Sequence, residues 1–419
     1  MPDYGAALSL PIPTGERLLA DLEQLATFVE PDTPGWTRRF PSPAYLAGRV
    51  WLQAAMQHAG LTPRIDAAGN LLGTRRGTAD LPPILIGSHT DTVLGGGRYD
   101  GTLGVLAALE VVRCFNDAGI TLRHPLIVAD FLAEEANAYG ISCVGSRGLA
   151  GTFQSAWLAR TLDGVTLERA IQAAGGDPAG LIGPLYAPGA LAACLELHIE
   201  QGPVLAQAGR SLAAVSGIVG IQRGTLRLRG QPDHAGTTPM AMRHDALAAA
   251  AVLITTLEQL CHAGPQTVGT IGRLEVQPNQ SNVVPGEVLL TAEIRSLNPA
   301  VLAQVWQQFW ARATAATAQR GVTLELVALT SSPPVTSPAW LVELVHRVCC
   351  SLDEGALVLP SGAGHDSSQL AQIAPTAMIF VPSAGGRSHC PDEDTAPHHL
   401  RLGGAALARA VLALDEALA

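Results

Sequence analysis

PILIGSHTDTVLGGGRYDGTLGVLAALEVVRCFNDAGITLRHPLIVADFL, residues 83–132, is the stretch from which the fold is read. Residues 83–87 form a short apolar run that ends in Ser88-His89. Residues 103–115 place apolar side chains at helical spacing and close near Gly119, and residues 126–132 form a second strand candidate. Strand, helix, strand at this spacing is the pattern of a parallel or mixed sheet covered by helices on both faces. Working outward, residues 193–199 and 377–381 (AMIFV) are further buried-strand runs, and residues 402–418 read as a closing amphipathic helix. The pattern is interrupted in the middle. Residues 215–228, 242–260, 267–276, 288–295, 299–320 and 322–328 read strand, helix, strand, strand, helix, strand, the βαββαβ string of a ferredoxin-like α+β domain. The expected organisation is therefore an α/β domain from residues 1–210 and 330–419, with an α+β domain of residues 211–329 inserted in it. Gly202-Pro203 and the run SSPPVTSP at 331–338 are the expected hinges.

Composition narrows the function. The chain has 419 residues, 47% hydrophobic and 15% charged, with 26 basic against 36 acidic residues and a net charge of −10. Such a chain has the apolar content to fold, and its acidity argues against nucleic acid as a partner. All 26 basic residues are Arg. The lack of Lys removes Schiff-base chemistry, pyridoxal phosphate attachment and the P-loop lysine together. Seven Cys without CxxC spacing, and no basic-then-apolar leader, predict a reduced, cytoplasmic setting. Cys349 and Cys350 read as packing residues of a helix. The longest uncharged apolar stretches fall short of the roughly 20 residues of a bilayer span, so no membrane partner is expected.

Four strand-like runs end in residues of metal-ligand type: His89 and Asp91, Glu134-Glu135, His198 with Glu200, and His389. Asp100 adds a carboxylate just before the helix at 103–115. Sites in open α/β sheets form at the carboxyl ends of strands, so these segments are expected to meet in one crevice. Alone, His89 and Asp91 read as a satisfied pair near a turn and Glu134-Glu135 as an exposed acidic loop. Recurrence at four strand ends favours a metal centre. Imidazole and carboxylate without thiolate suit Zn²⁺, with Mn²⁺, Co²⁺ or Ni²⁺ as alternatives, and a shared carboxylate would allow two ions. Residues 95–104 lack both G-x-G-x-x-G and a following Lys, so their glycines free the backbone near Asp100 rather than cradle a nucleotide.

These motifs, with LHIEQGPVL at 197–205, DHAGTTPM at 233–240, PNQSNVVPGEV at 278–288, GAGHDS at 362–367 and RSHCPDE at 387–393, resemble the M20 metallohydrolases over nearly the whole chain. The branch is the amidase, hydantoinase and carbamoylase group, which includes N-carbamoyl-L-amino acid hydrolases, allantoate amidohydrolases and β-ureidopropionases. The resemblance implies a di-metal, aminopeptidase-like catalytic α/β domain with an inserted ferredoxin-like lid and dimerisation domain, hence a homodimer. It implies that His89, Asp100 and His198 hold one divalent ion and Asp100, Glu135 and His389 a second. Asp91 would orient His89, Glu134 would act as general base, and His234 would donate to the developing oxyanion. Gln201, His234, Asn282, Arg295 and Gly364 would contact substrate. Arg295 could fork onto a substrate carboxylate, with a surface Arg in a salt bridge as the less favoured alternative.

The chain departs from the branch after the glutamate pair. Ala136-Asn137-Ala138-Tyr139-Gly140 stands where Gly, a small residue, Arg and Phe are common, and this bears on substrate identity. Cys390, beside His389, reads as packing, and His58, His124, His262, His346, His398 and His399 match nothing in the motifs. The expected activity is removal of an N-carbamoyl or related ureido group from a small carboxylate-bearing substrate, such as an N-carbamoyl-L-amino acid. An aminoacylase or dipeptidase, and a non-catalytic binding relative, are the alternatives. Intact Glu134 and five intact ligand positions argue against the last.

Overall fold

The computed structural model describes residues 15–181 and 183–418; the chain start, on which the leader expectation rests, lies outside them. Two compact units emerge, one running through Ser216 and resuming at Ser337, the other Gly217–Thr336. The first begins with α1 (Glu16–Leu25), α2 (Pro43–His58), β1 (Thr62–Ile65), β2 (Leu71–Arg75), β3 (Ile84–His89), α3 (Thr102–Asp117) and β4 (Leu126–Phe131). It continues with α4 (Val144–Ala150), the hairpin β5 (Thr161–Leu162) and β6 (Val165–Thr166), α5 (Leu167–Ala173), β7 (Ala193–Ile199), α6 (Val204–Ala208) and β8 (Ala213–Ile218). The second unit holds β9 (Gly220–Arg229), α7 (Ala246–Ala263), β10 (Thr267–Gln277), β11 (Glu287–Ser296), α8 (Pro299–Gln319), β12 (Thr323–Ser332) and β13 (Val335–Thr336). The first then closes with α9 (Ala339–Cys350), β14 (Leu357–Ser361), α10 (Ser367–Leu370), β15 (Thr376–Val381) and α11 (Pro397–Ala417).

The sheet of the first unit runs β1-β2-β4-β3-β7-β15-β8, with β14 on β8. β4, β3, β7 and β15 are parallel neighbours; β1, β2 and β8 are antiparallel to theirs. Every residue of the four parallel strands is buried, as strands covered on both faces must be. α3, α9 and α11 share one core with α1 against one face. A smaller cluster around Leu85, Ile127 and Leu370 fills the other. α3 and α11 are buried almost all round, so α11 is a core helix where a one-sided amphipathic one was expected. It starts at Pro397, before the expected residue 402, because Pro at the first position has no N–H to leave unsatisfied.

The second unit is a four-stranded antiparallel sheet ordered β10-β11-β9-β12, the ferredoxin-like order of a βαββαβ chain. β11 alternates strictly, with Val288, Leu290, Ala292 and Ile294 buried in the core that α7 and α8 share. Burying the Val, Leu and Ile side chains stabilises the unit by about 1.5–3 kcal/mol each. Among the described residues, α7 is the helix long and apolar enough to cross a membrane by length and composition, and Ala249, Leu253 and Leu257 on it belong to this core.

Three expectations shift. The single strand at 215–228 is two strands, β8 and β9, which lie in different sheets; the break falls at Val219, between Ile218 and Gly220. α7 starts at Ala246 instead of 242 because Asp245 caps it, Oδ1 accepting the N–H groups of Leu247 and Ala248 at 2.9 Å. The boundary between units falls at 217 and 336 rather than 211 and 329, since residues 213–215 still pair with β15 and β12 continues to Ser332.

Candidate metal centre

The parallel strands β3, β4, β7 and β15 deliver their carboxyl ends to one edge of the sheet. His89 ends β3, His198 is the penultimate residue of β7, Glu134 and Glu135 follow β4, and His389 follows β15. Asp100 sits at the entry to α3, where Gly101 adopts φ +65°; a Cβ there would lie 2.3 Å from His89 Nε2, so the ring and the helix entry share space that a side chain would take.

The side chains converge on Asp100. His198 Nε2 and His89 Nε2 lie 3.3 and 3.7 Å from its Oδ1, and His389 Nε2 lies 3.2 Å from its Oδ2. His389 Nε2 is also 3.5 Å from Glu135 Oε1. Two groups result, His89–Asp100–His198 and Asp100–Glu135–His389, each with its ligand atoms within 4.8 Å of one another. Nδ1 of His89 and of His198 lie 3.0 and 2.9 Å from the carbonyls of Asp91 and Ile199. A carbonyl can only accept, so Nδ1 carries a proton in both rings and Nε2 is the nitrogen turned toward Asp100, free to serve as a ligand. The contact between Nε2 and the carboxylate can be bridged by a proton or by a metal ion. Ligands of a tetrahedral ion at about 2.0–2.2 Å are roughly 3.3–3.6 Å apart, close to the 3.2–3.7 Å found. The donor set therefore fits divalent metal.

Asp91 fastens the neighbouring loop. Its Oδ1 and Oδ2 accept the N–H groups of Glu134 and Glu135, each at 3.1 Å. The carbonyls of Leu132, Ala133 and Glu134 accept the N–H groups of Gly145, Val144 and Cys143 at the start of α4. Glu134 Oε2 is 3.6 Å from His89 Nε2, and its Oε1 accepts the Cys143 thiol at 3.5 Å.

Crowded carboxylates make this pocket electrically negative. Burial raises Glu134 well above the usual carboxylate range, with the charges of Asp366 and Glu135 adding to it. Burial and then the charge of Asp100 push Glu135 up to about 8, and burial lifts Asp91 to about 6. The hydrogen bond to Asp100 is the main cause that brings His389 up to about 9. For His198 burial opposes protonation, but the same carboxylate overcomes it and lifts the ring to about 9. Such a site draws positive charge.

Gln201 belongs to the cluster: its Nε2 donates to Asp100 Oδ2 at 2.7 Å. Gly364 is exposed, with open space where a Cβ would stand. The other three expected substrate contacts lie in the second unit. His234 bridges to Val283, Ala235 N–H donates to the Asn282 carbonyl, and His234 Nδ1 accepts the Gly236 N–H at 3.0 Å, leaving Nε2–H as a donor. Arg295 Nε and Nη2 both lie 2.7 Å from Glu293 Oε1, so the salt bridge is formed. The loop that departs from the family pattern lines a cavity of about 410 Å³ with Asp91, Glu135, Phe40 and Leu94.

Reading the sequence left several buried groups without a role. His365 packs edge-on against His198 with ring centroids 4.5 Å apart. Glu196 accepts the hydroxyls of Ser88 and Ser367 at 2.7 and 2.6 Å. Glu393 holds the backbone of Asp100. His365, Ser367 and Glu393 stand inside the quoted motifs GAGHDS and RSHCPDE, which was the available signal.

The model of peptidase family M20/M25/M40 matches residues 85–413. An N-carbamoyl-L-amino acid amidohydrolase of Geobacillus stearothermophilus is 38% identical over 404 residues, 96% of this chain and 99% of that protein. An allantoate amidohydrolase of Bacillus subtilis (strain 168) is 32% identical over 390 residues, 92% and 94% of the two chains. The crystal structure of an amidase of the hydantoinase/carbamoylase family from Burkholderia multivorans superposes with a TM-score of 0.89 at 32% identity, covering 97% of this chain and 99% of that one. With histidine and carboxylate groups gathered at the strand ends within the matched span, this chain belongs to peptidase family M20/M25/M40.

Proposed function

We propose that the protein is a dinuclear metal-dependent amidohydrolase that cleaves the carbamoyl C–N bond of a small carboxylate-bearing ureido substrate, such as an N-carbamoyl-L-amino acid. The observation that carries this is Asp100, whose Oδ1 faces His89 and His198 while its Oδ2 faces His389. One carboxylate between two groups of ligands is the arrangement for two ions. Zn²⁺ suits it best, with Mn²⁺, Co²⁺ or Ni²⁺ as alternatives. Bound there, the ions would polarise the scissile carbonyl and lower the pKa of water.

Glu134 stands beside this centre, held by Asp91 through its backbone. It takes a proton from the attacking water and delivers it to the leaving nitrogen. The net reaction with an N-carbamoyl amino acid consumes one water and yields the amino acid, ammonia and carbon dioxide. Gln201 and Gly364 in the first unit, and His234, Asn282 and Arg295 in the second, are the proposed substrate contacts, His234 through its Nε2–H. Arg295 would share its guanidinium between Glu293 and the substrate carboxylate. The second unit serves as lid and dimerisation domain; Val268, Leu274, Val327 and Leu329 are exposed on its edge strands β10 and β12. The seven free cysteines fit a reduced, cytoplasmic setting.

Allantoate is the second candidate substrate, supported by the full-length likeness to the Bacillus subtilis amidohydrolase. The test is ammonia release by metal-reconstituted protein from N-carbamoyl-L-amino acids, N-carbamoyl-β-alanine and allantoate, beside N-acetyl amino acids. Metal-dependent ammonia from one ureido compound supports the proposal and names the substrate. Cleavage of the acetyl compounds alone would make the enzyme an aminoacylase.

A further inference from the structure

Glu393 is 2% exposed and stands outside both groups of candidate ligands, yet three donors converge on it. Its Oε1 accepts the backbone N–H groups of Tyr99 at 2.9 Å and Asp100 at 3.1 Å. Its Oε2 accepts the Ser388 hydroxyl at 2.8 Å, and that same hydroxyl lies 2.8 Å from Asp100 Oδ2. Ser388 precedes His389, and the turn between them and Glu393 is closed by Glu393 N–H donating to the Cys390 carbonyl at 3.1 Å. One carboxylate thus ties together two segments that are remote in sequence, one carrying Asp100 and the other His389.

His389 needs such support more than the other ligands. Its side chain is 48% exposed, against 10% or less for those of His89, Asp100, Glu135 and His198. Its backbone is in the left-handed region at φ +56°, a conformation that costs a side-chain-bearing residue free energy unless its surroundings hold it. Room for the clamp comes from Gly97, where a Cβ would fall 2.1 Å from Glu393 Oε1.

We propose that Glu393 is a positioning residue that sets the register of Asp100 against His389 and so governs affinity at the Asp100–Glu135–His389 group. This rests on the metal-centre reading above. Partners that orient metal ligands are worth about 10–100-fold in metal affinity, and the loss on removing Glu393 should fall mainly on that one group.

The experiment is stepwise loading of the full-length metal-free protein with Co²⁺ against a competing chelator, reading both dissociation constants and the visible absorption of the bound ions. Glu393→Ala and Gly97→Ala, which strike the same clamp from opposite sides, are each expected to weaken one ion by about 10–100-fold and alter its absorption, leaving the other within a few-fold. Glu393→Gln keeps the size and one acceptor oxygen, and should show a smaller loss at the same ion; it decides the matter where the alanine variants fail to fold. Unchanged affinities and spectra in the variants that fold would overturn the proposal, as would equal weakening of both ions. If the wild-type protein bound no Co²⁺, the metal-centre reading itself would fail, a separate outcome.

Discussion

Asp91 Oδ1 accepts the backbone N–H of Glu134 at 3.1 Å, and the carbonyl of the same aspartate takes the Nδ1 proton of His89 at 3.0 Å. A single residue thereby sets both the proposed base and the tautomer of a proposed ligand. Asp91→Ala keeps that carbonyl but removes the carboxylate that holds the backbone N–H groups of Glu134 and of the candidate ligand Glu135. It is expected to lower metal affinity by about 10–100-fold through Glu135 and to depress turnover further than metal loss explains. Full activity of this variant at saturating metal would show that the loop holds its place without Asp91.

Glu134→Gln keeps shape and the Asp91 bond to its backbone but cannot accept a proton. Turnover should fall by about 10²–10⁴-fold, while metal content measured by elemental analysis stays at the wild-type level. Activity within a few-fold of wild type would remove Glu134 from the mechanism.

Chelation should abolish ureido hydrolysis and lower the melting temperature, both restored by adding the ion back. An ion at 100 times its dissociation constant stabilises the fold by about 2.7 kcal/mol per site. Calorimetry of metal-free and reconstituted protein checks this, and equal melting temperatures would contradict it.

The metal-free protein has a predictable pH response between 6.5 and 9. Glu135 is raised to about 8 and His198 and His389 to about 9. Over this window the folded state binds more protons than the unfolded chain, so stability falls as pH rises. His89 and His365, which are lowered, act below 6.5 and lie outside it. Thermal unfolding of the metal-free protein at pH 6.5, 7.5 and 8.5 should give descending midpoints, and ascending ones would refute the electrostatic picture.

Arg49 Nε donates to Asp130 Oδ2 at 2.9 Å with both side chains buried, and Thr90 holds Oδ1. Arg49→Met strands a buried carboxylate beneath the strand ends and should cost about 3–5 kcal/mol. Denaturant unfolding measures it; a loss below about 1 kcal/mol would mean that the carboxylate is neutral in the folded protein.

Local pattern carried much of the architecture. The strand at 193–199 coincides with β7, because five apolar residues of seven, interrupted by only Glu196 and His198, favour one buried strand. Strand-to-helix alternation over 83–132 holds for the same reason. The break between β8 and β9 is not marked at Val219, itself a strand-favouring residue. At the centre, residue types and their recurrence at strand ends pointed to His89, Asp100, His198 and His389, which the fold brings together. Glu393 could not be found that way: its donors are remote in the chain, and an Asp/Glu-rich segment at 391–394 looks solvated. Arg295 shows the converse, a residue read two ways that is found paired with Glu293.

Every candidate ligand lies before residue 217 or after residue 336, whereas His234, Asn282 and Arg295 lie between them. Metal stoichiometry is therefore an internal control on one unit alone. A substitution in the middle of the chain that silences turnover at full metal occupancy reports on recognition, and one that empties the centre reports on the scaffold around it. The two kinds of loss can be told apart in a single preparation.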